Sequence, residues 1–222
     1  MSHKSEGFIQ YVPIAFSEED TLTRSSKFYD FMDQRRSLRN FSDKSVPKEV
    51  IENIIKTAST APSGAHLQPW TFCAVNSLEI KSKIREAAEK EEYENYHGRM
   101  TERWLKDLEP FGTDHIKPFL EIAPWLIIVM KRSYEFVNGE KKNNYYATES
   151  VGLAAGLLLA AIHNAGLVAL THTPSPMNFL SKVLDRPAYE KPFLLIPVGY
   201  PADNAEVPKL TRKGLDEIAI FY

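Results

Sequence analysis

The sequence predicts an α+β fold, a sandwich of helices around a mixed sheet. Segments with the helical spacing of apolar residues alternate along the chain with short β-prone runs. Residues 124–130 form the strongest of these runs, which is typical of a buried central strand. Residues 146–165 form a helix that is apolar on nearly every side and must therefore be covered on every side. We expect a homodimer to cover its second face.

The other elements follow from local signals. Residues 25–36 have helical spacing, and a second helix is expected between an N-cap at Ser45 and Pro62. A third helix starts near Ser77, and the long helix ends at Gly166, which suits a left-handed C-cap.

Further strands are predicted at residues 71–75, 167–172 and 193–198. The single cysteine, Cys73, lies in the first of these strands, which favours core packing over a nucleophilic role.

Length and charge narrow the class of protein. The chain has 222 residues without a linker or repeat, which predicts a single domain over residues 1–222. A formal net charge of −2 argues against nucleic acid as a partner, because binding to phosphate backbones needs a basic surface. The longest apolar run, residues 151–162, is too short to cross a bilayer. We therefore expect a cytoplasmic protein with no membrane anchor and no metal site.

Two motifs predict a flavin nucleotide. Arg35, Arg36 and Arg39 each present a planar fork of donors that matches phosphate oxygens. Residues 61–70 form a loop of small residues and free backbone amides, which a flat heterocycle can approach closely. Taken singly, the arginines also fit a solvated helix end and the loop an ordinary turn. Glycine motifs of the Rossmann and P-loop kinds do not occur.

Residues 90–119 are dense in charged and aromatic side chains. Glu92 and Tyr96 are spaced to share one helix face, and Met100 and Trp104 continue that face. This spacing alone also fits a solvated pair of amphipathic helices.

Several longer stretches carry a resemblance to a known family. They are Glu92-Tyr93-Glu94-Asn95-Tyr96, Arg99-Met100, Arg103-Trp104, Ile116-Lys117, Asn144-Tyr145-Tyr146 and Leu195-Ile196-Pro197-Val198-Gly199-Tyr200-Pro201. From Arg35 onward the chain resembles the iodotyrosine deiodinase branch of the FMN-dependent nitroreductase superfamily. The resemblance implies a nitroreductase-like α/β/α sandwich with a mixed central sheet. It also implies an active-site lid at residues 90–119 and an intertwined homodimer in which residues 205–222 wrap the partner subunit.

The resemblance implies FMN as the cofactor. The Thr173 hydroxyl would donate to flavin N5 and favour one-electron steps, which makes it the expected catalytic residue. The full set of expected cofactor contacts is Arg35, Arg36, Ser37, Leu38, Arg39, Pro62, Ser63, Gly64, Thr171, His172, Thr173 and Arg212.

The resemblance also implies a halotyrosine substrate. Glu92 would pair with its ammonium group, while Tyr96 and Lys117 would hold its carboxylate. The backbone N–H of Ala65 would donate to the phenolate oxygen. The implied reaction is reductive dehalogenation of iodo-, bromo- and chlorotyrosines to tyrosine and halide, with NAD(P)H or a separate reductase as electron donor.

Two alternatives stay open. One is a general NAD(P)H-dependent nitroreductase or quinone reductase, which has no need of a charged lid. The other is a non-catalytic sensor protein that depends on flavin or binds an amino acid. His172 and Ser175-Pro176-Met177 depart from what the animal enzymes of this branch lead us to expect.

Overall fold

The structure, a computed structural model, describes residues 7–222. They fall into two compact units that divide after Arg35. The first unit contains helix α1, Glu18–Asp33, whose N-cap Ser17 accepts a hydrogen bond from the backbone N–H of Asp20. The predicted start at residue 25 was therefore late. The single domain over residues 1–222 stays a prediction.

The second unit contains a four-stranded sheet with helices on both faces. Its strands are β1 (Trp70–Val75), β2 (Trp125–Arg132), β5 (Val168–Ala169) and β6 (Glu190–Gly199), in the order β1-β2-β6-β5. All three strand pairs are antiparallel, and a single parallel bridge joins Ser37 to Ala169. The helices are α2 (Lys48–Ala58), α3 (Leu78–Glu94), α4 (Glu102–Leu108), α5 (Phe119–Ile122), α6 (Ala147–Asn164), α7 (Asn178–Val183) and α8 (Leu215–Ile218).

The alternation of side chains along β2 explains the layers. Trp125, Ile127 and Val129 point to one face and pack with apolar residues of α2 and α6. Ile128 and Met130 point to the other face, where they pack with residues of α3, α5 and α7. The α/β/α sandwich is therefore confirmed, and β2 is buried on both faces, as its unbroken apolar run predicted.

Most predicted elements are confirmed, and besides the start of α1 three details differ from the prediction. Ser77 caps α3 and Gly166 has a φ of +72° after α6, as expected. The second helix begins at Lys48 with Pro47 at the cap position, instead of after Ser45. The strand predicted over residues 167–172 shrinks to the two residues of β5 and one bridge between His172 and Leu195.

The third detail is a hairpin of β3 (Tyr134–Val137) and β4 (Glu140–Asn143), which was not predicted. Its turn, Asn138-Gly139, has positive φ at both residues and was the available signal. Within residues 7–222 no helix combines the length and apolar character that crossing a membrane requires.

Candidate active site

A cavity of about 200 Å³ lies between the end of α3, α4, the segment before α5 and the segment after β5. It brings together seven of the predicted site residues, namely Arg39, Glu92, Tyr96, Lys117, Thr171, His172 and Thr173. The remaining wall is mainly apolar and includes Met100, Trp104, Leu108, Phe119 and Leu170.

The end of α3 determines which side chains of residues 90–119, the predicted lid, face the cavity. Glu92 lies in the last turn of α3, which continues into a π-helical turn, Asn95–Arg99, that carries Tyr96. Met100, Trp104 and Leu108 then follow at intervals of four residues on the same side. The prediction that these residues face one side is therefore confirmed, but they do not share one continuous helix, because the backbone is extended at Met100. Extending the spacing by four residues would have found Leu108.

Glu92 and Lys117 form a buried pair of opposite charges. Their residues are 6% and 3% exposed, and Glu92 Oε2 lies 3.7 Å from Lys117 Nζ. Burial raises the pKa of Glu92 and lowers the pKa of Lys117, while the attraction between the two groups opposes both shifts. The pair can accept a ligand that brings both charges with it, because each group then keeps an opposite charge beside it.

Hydrogen bonds orient the polar groups around this pair. Lys117 Nζ donates to Thr113 Oγ1 at 3.0 Å and also to the backbone oxygen of Asp114. The Tyr96 hydroxyl donates to the backbone oxygen of Thr113 at 3.1 Å. The segment around Thr113 therefore aligns two of the predicted substrate residues, and the sequence contains no signal for this role.

Residues 171–173 form the opposite side of the cavity. The backbone of His172 exchanges two hydrogen bonds with Leu195, so alternation leaves Thr171 and Thr173 exposed and His172 buried. The His172 ring packs edge-on against Phe119 with 5.6 Å between ring centroids, and its Nε2 has no hydrogen-bond partner. Burial, assisted by the positive charges of Lys117 and Arg39, lowers the pKa of His172 to about 3. The imidazole is therefore neutral at physiological pH.

This buried imidazole predicts a pH dependence of stability. The folded state cannot protonate His172 until the pH approaches 3, whereas the unfolded chain does so below its ordinary pKa of 6.5. The contribution of His172 to the free energy of unfolding is therefore fully present above pH 6.5. It falls as the pH drops, by about 2 kcal/mol at pH 5. Urea unfolding measures the free energy of unfolding of the wild type and of His172→Leu at pH 7.5 and pH 5. The decrease between the two pH values should be smaller in the variant by the contribution of this one group. An unchanged pH dependence would contradict the neutral imidazole.

The predicted phosphate clamp is only partly assembled at the cavity. Ser37 bridges Ala169, and the backbone N–H of Leu38 donates to the Ala169 oxygen at 3.1 Å, so β5 fixes this segment beside residues 171–173. Arg39 lines the cavity, whereas Arg36 donates to the backbone oxygen of Pro208. The two remaining members are not among the residues that line the cavity. Arg212 is exposed in the C-terminal segment, and Arg35 is the last residue of the first unit.

The loop that carries Pro62, Ser63, Gly64 and Ala65 does not line this cavity. It rests on the N-terminal end of α6, where the Gly64 N–H donates to Ser150 Oγ at 3.3 Å. A Cβ atom on Gly64 would lie 2.7 Å from the backbone oxygen of Tyr145, so only glycine fits this approach. Ala65 is exposed with a φ of +50°.

Comparisons with known proteins agree with this arrangement. The Nitroreductase family matches residues 32–200. An iodotyrosine deiodinase from Haliscomenobacter hydrossis is 60% identical over 216 residues, which cover 97% of each chain. Human iodotyrosine deiodinase 1 is 46% identical over 98% of this chain and 77% of its own length.

A solved structure gives the same result for the fold. Oxidized iodotyrosine deiodinase bound to FMN and 3-iodo-L-tyrosine superposes with a TM-score of 0.77 at 30% identity, over 88% of this chain and 98% of that one. The fold and the sequence similarity agree, and the chain belongs to the iodotyrosine deiodinase branch of the nitroreductase family.

Proposed function

We propose that the protein is an FMN-dependent enzyme that removes halogen from halotyrosines by reduction. The observation that carries the proposal is the buried Glu92–Lys117 pair, with Tyr96 beside it, facing Thr171 and Thr173 across one cavity. A general nitroreductase or quinone reductase has no use for such a pair, because its substrates lack an amino acid's two charges. The related structure that binds FMN and 3-iodo-L-tyrosine supports the same assignment.

The donors around the cavity fit FMN. Arg39 and the hydroxyls of Thr171 and Thr173 offer the cavity a cation and neutral donors, as a phosphate and a polar ring edge require. Arg36 and Arg212 complete the proposed phosphate clamp, and the hydrogen bond from Arg36 to Pro208 holds the segment that leads to Arg212. When bound, reduced FMN would supply two electrons, and together with one proton from the reduced flavin or from water these would replace the carbon–halogen bond by a carbon–hydrogen bond and release halide.

The lid residues receive the amino acid part of the substrate. Glu92 accepts from the substrate ammonium, while Lys117 and the Tyr96 hydroxyl donate to its carboxylate. Exclusion of water by the lid strengthens these contacts. The Thr173 hydroxyl would donate to flavin N5. The phenolate oxygen would accept from the backbone N–H of Ala65 of the partner subunit in the homodimer proposed below, because this chain's own loop of residues 62–65 does not line the cavity.

Anaerobic titration tests this function. Protein reduced with dithionite is mixed with 3-iodotyrosine, and flavin oxidation and iodide release are followed together. We expect one iodide for each reduced flavin in the wild type, and a much slower reaction in Thr173→Ala, whose reduction of a nitroarene changes little. Flavin that stays reduced in the wild type would overturn the proposed function, and an equally fast Thr173→Ala would overturn the role of Thr173.

We also propose a homodimer in which each flavin lies at the subunit boundary. The outer face of α6 is exposed although it contains Gly152, Leu153, Gly156 and Leu157. The proposed C-terminal tail, residues 205–222, likewise exposes large apolar side chains, among them Leu215, Ile218, Ile220, Phe221 and Tyr222. A partner subunit would cover both surfaces. It would also bring its own loop of residues 62–65 to a cavity that this chain's loop does not line.

The electron donor would be NAD(P)H or a separate reductase.

A charge on this face is expected to disrupt the dimer. In Leu153→Glu, each α6 would place a carboxylate in the proposed apolar interface, where burial of an unpaired charge is costly. Sedimentation should give a dimer for the wild type and a monomer with little bound FMN for the variant. Lys142→Glu, which alters an exposed residue of β4, is the control and should remain dimeric. A monomeric wild type that retains FMN would contradict the proposal.

A further inference from the structure

A hydrogen bond joins the two sides of the cavity. Asn95 lies between Glu92 and Tyr96 and is 8% exposed. Its Nδ2 donates to the backbone oxygen of Ser175 at 2.8 Å. Ser175 follows Thr173 by two residues, so this bond connects the lid directly to the segment proposed to place the Thr173 hydroxyl.

On the lid side, Asn95 moves with the proposed substrate residues. Its backbone N–H donates to the oxygens of Glu91 and Glu92 at the end of α3, and its backbone oxygen accepts from Met100 at 2.9 Å. It is the first residue of the π-helical turn that carries Tyr96, and such turns are frequent at functional sites. A shift of Glu92 or Tyr96 on ligand binding would therefore shift the Asn95 amide.

On the opposite side, Thr173 lies between two anchors. The sheet holds His172 through its two backbone hydrogen bonds with Leu195, at 2.9 and 3.0 Å. The lid holds Ser175 through Asn95. Because Thr173 itself is exposed, the position of its side chain depends on these two anchors, and only the second one belongs to the lid.

We propose that Asn95 is a positioning residue that couples occupation of the lid to the placement of Thr173. This inference rests on the proposed function. A ligand that orders Glu92, Tyr96 and Lys117 also orders Asn95, and the Asn95 amide then fixes Ser175 and the chain before it. A ligand that lacks the ammonium and carboxylate groups does not use this link.

Hydrogen exchange of the FMN-loaded protein, with and without 3-iodotyrosine, tests the coupling. In the wild type, the ligand should protect the backbone of residues 90–100 and of residues 171–177. In Asn95→Leu, which keeps the size but removes the donor, we expect protection of residues 90–100 to remain and protection of residues 171–177 to be lost. Asn95→Ala should behave alike. Asn144→Ala is the matched control, because Asn144 is as buried and also donates through Nδ2 to a backbone oxygen, that of Arg132.

Kinetics add a second readout. Loss of one buried hydrogen bond should lower kcat for 3-iodotyrosine by about 3- to 10-fold, with a smaller change in KM. Reduction of a nitroarene without charged groups should be unaffected. A merely structural defect would lower both activities together.

The outcomes separate the two proposals. If 3-iodotyrosine does not bind the wild type, the proposed function fails and the coupling fails with it. If the ligand binds and residues 171–177 become protected equally in the wild type and the Asn95 variants, the coupling alone is overturned. If both variants fail to fold, hydrogen exchange of the wild type still tests the coupling. Protection by the ligand confined to residues 90–100 would overturn the coupling, and protection of both segments would support it.

Discussion

Lys117→Ala is expected to weaken binding of 3-iodotyrosine by roughly 100-fold while FMN binding stays within about twofold of wild type. The variant removes the proposed partner of the substrate carboxylate. It also leaves Glu92 buried without its positive neighbour, so the pKa of Glu92 rises further and its attraction for the substrate ammonium weakens. One substitution thus affects both charges of the ligand.

Quenching of flavin fluorescence by added ligand measures this change. Lys106→Ala, which alters an exposed lysine of α4, should bind 3-iodotyrosine as the wild type does. The ligand 2-iodophenol, which lacks the amino acid group, should bind weakly and equally to all three proteins. If Lys117→Ala is unstable, the double variant Glu92→Gln, Lys117→Met removes both charges and should still lose binding. Equal wild-type affinity for 3-iodotyrosine and 2-iodophenol would refute the proposed lid contacts.

Arg39→Ala is expected to weaken FMN binding by roughly 100-fold, because a half-buried cation facing a phosphate makes a charge-assisted contact that water replaces poorly. Burial already lowers the pKa of the Arg39 guanidinium, and a bound anion would compensate this cost. Arg39→Lys should retain part of the affinity, since lysine keeps the charge but not the planar fork.

Titration of FMN into the apoprotein measures this affinity. Arg99→Ala is the control, because Arg99 is a half-exposed lid arginine that pairs with Glu91 and does not line the cavity. If Arg39→Ala binds FMN as tightly as the wild type does, Arg39 is not part of the cofactor site.

The parts of the fold that could be predicted depend on interactions between close neighbours in the chain. The Ser77 cap, the left-handed Gly166 and the helix face shared by Glu92 and Tyr96 each involve only a few consecutive residues. The apolar run of β2 likewise implies burial on both faces. Errors arose where local signals competed, as at Ser45 and Pro47, or where a turn signal was overlooked, as at Asn138-Gly139.

The roles proposed for Lys117 and Thr173 came from family resemblance, because no spacing rule links Lys117 to Glu92 or Thr173 to a cofactor. The structure adds the contacts that give those roles a physical basis, such as the 3.7 Å approach of Lys117 to Glu92.

By itself, the sequence determined most of the order of helices and strands, and the family, because short-range periodicity and family motifs depend on residues close together in the chain. Only the tertiary structure decided that His172 is buried beside Phe119, that the loop of residues 62–65 lies outside the cavity, and that Asn95 reaches Ser175. These contacts join residues far apart in the chain, and packing of the helices on the sheet brings them together. No local propensity can specify such a contact, since its free energy exists only after the chain has folded.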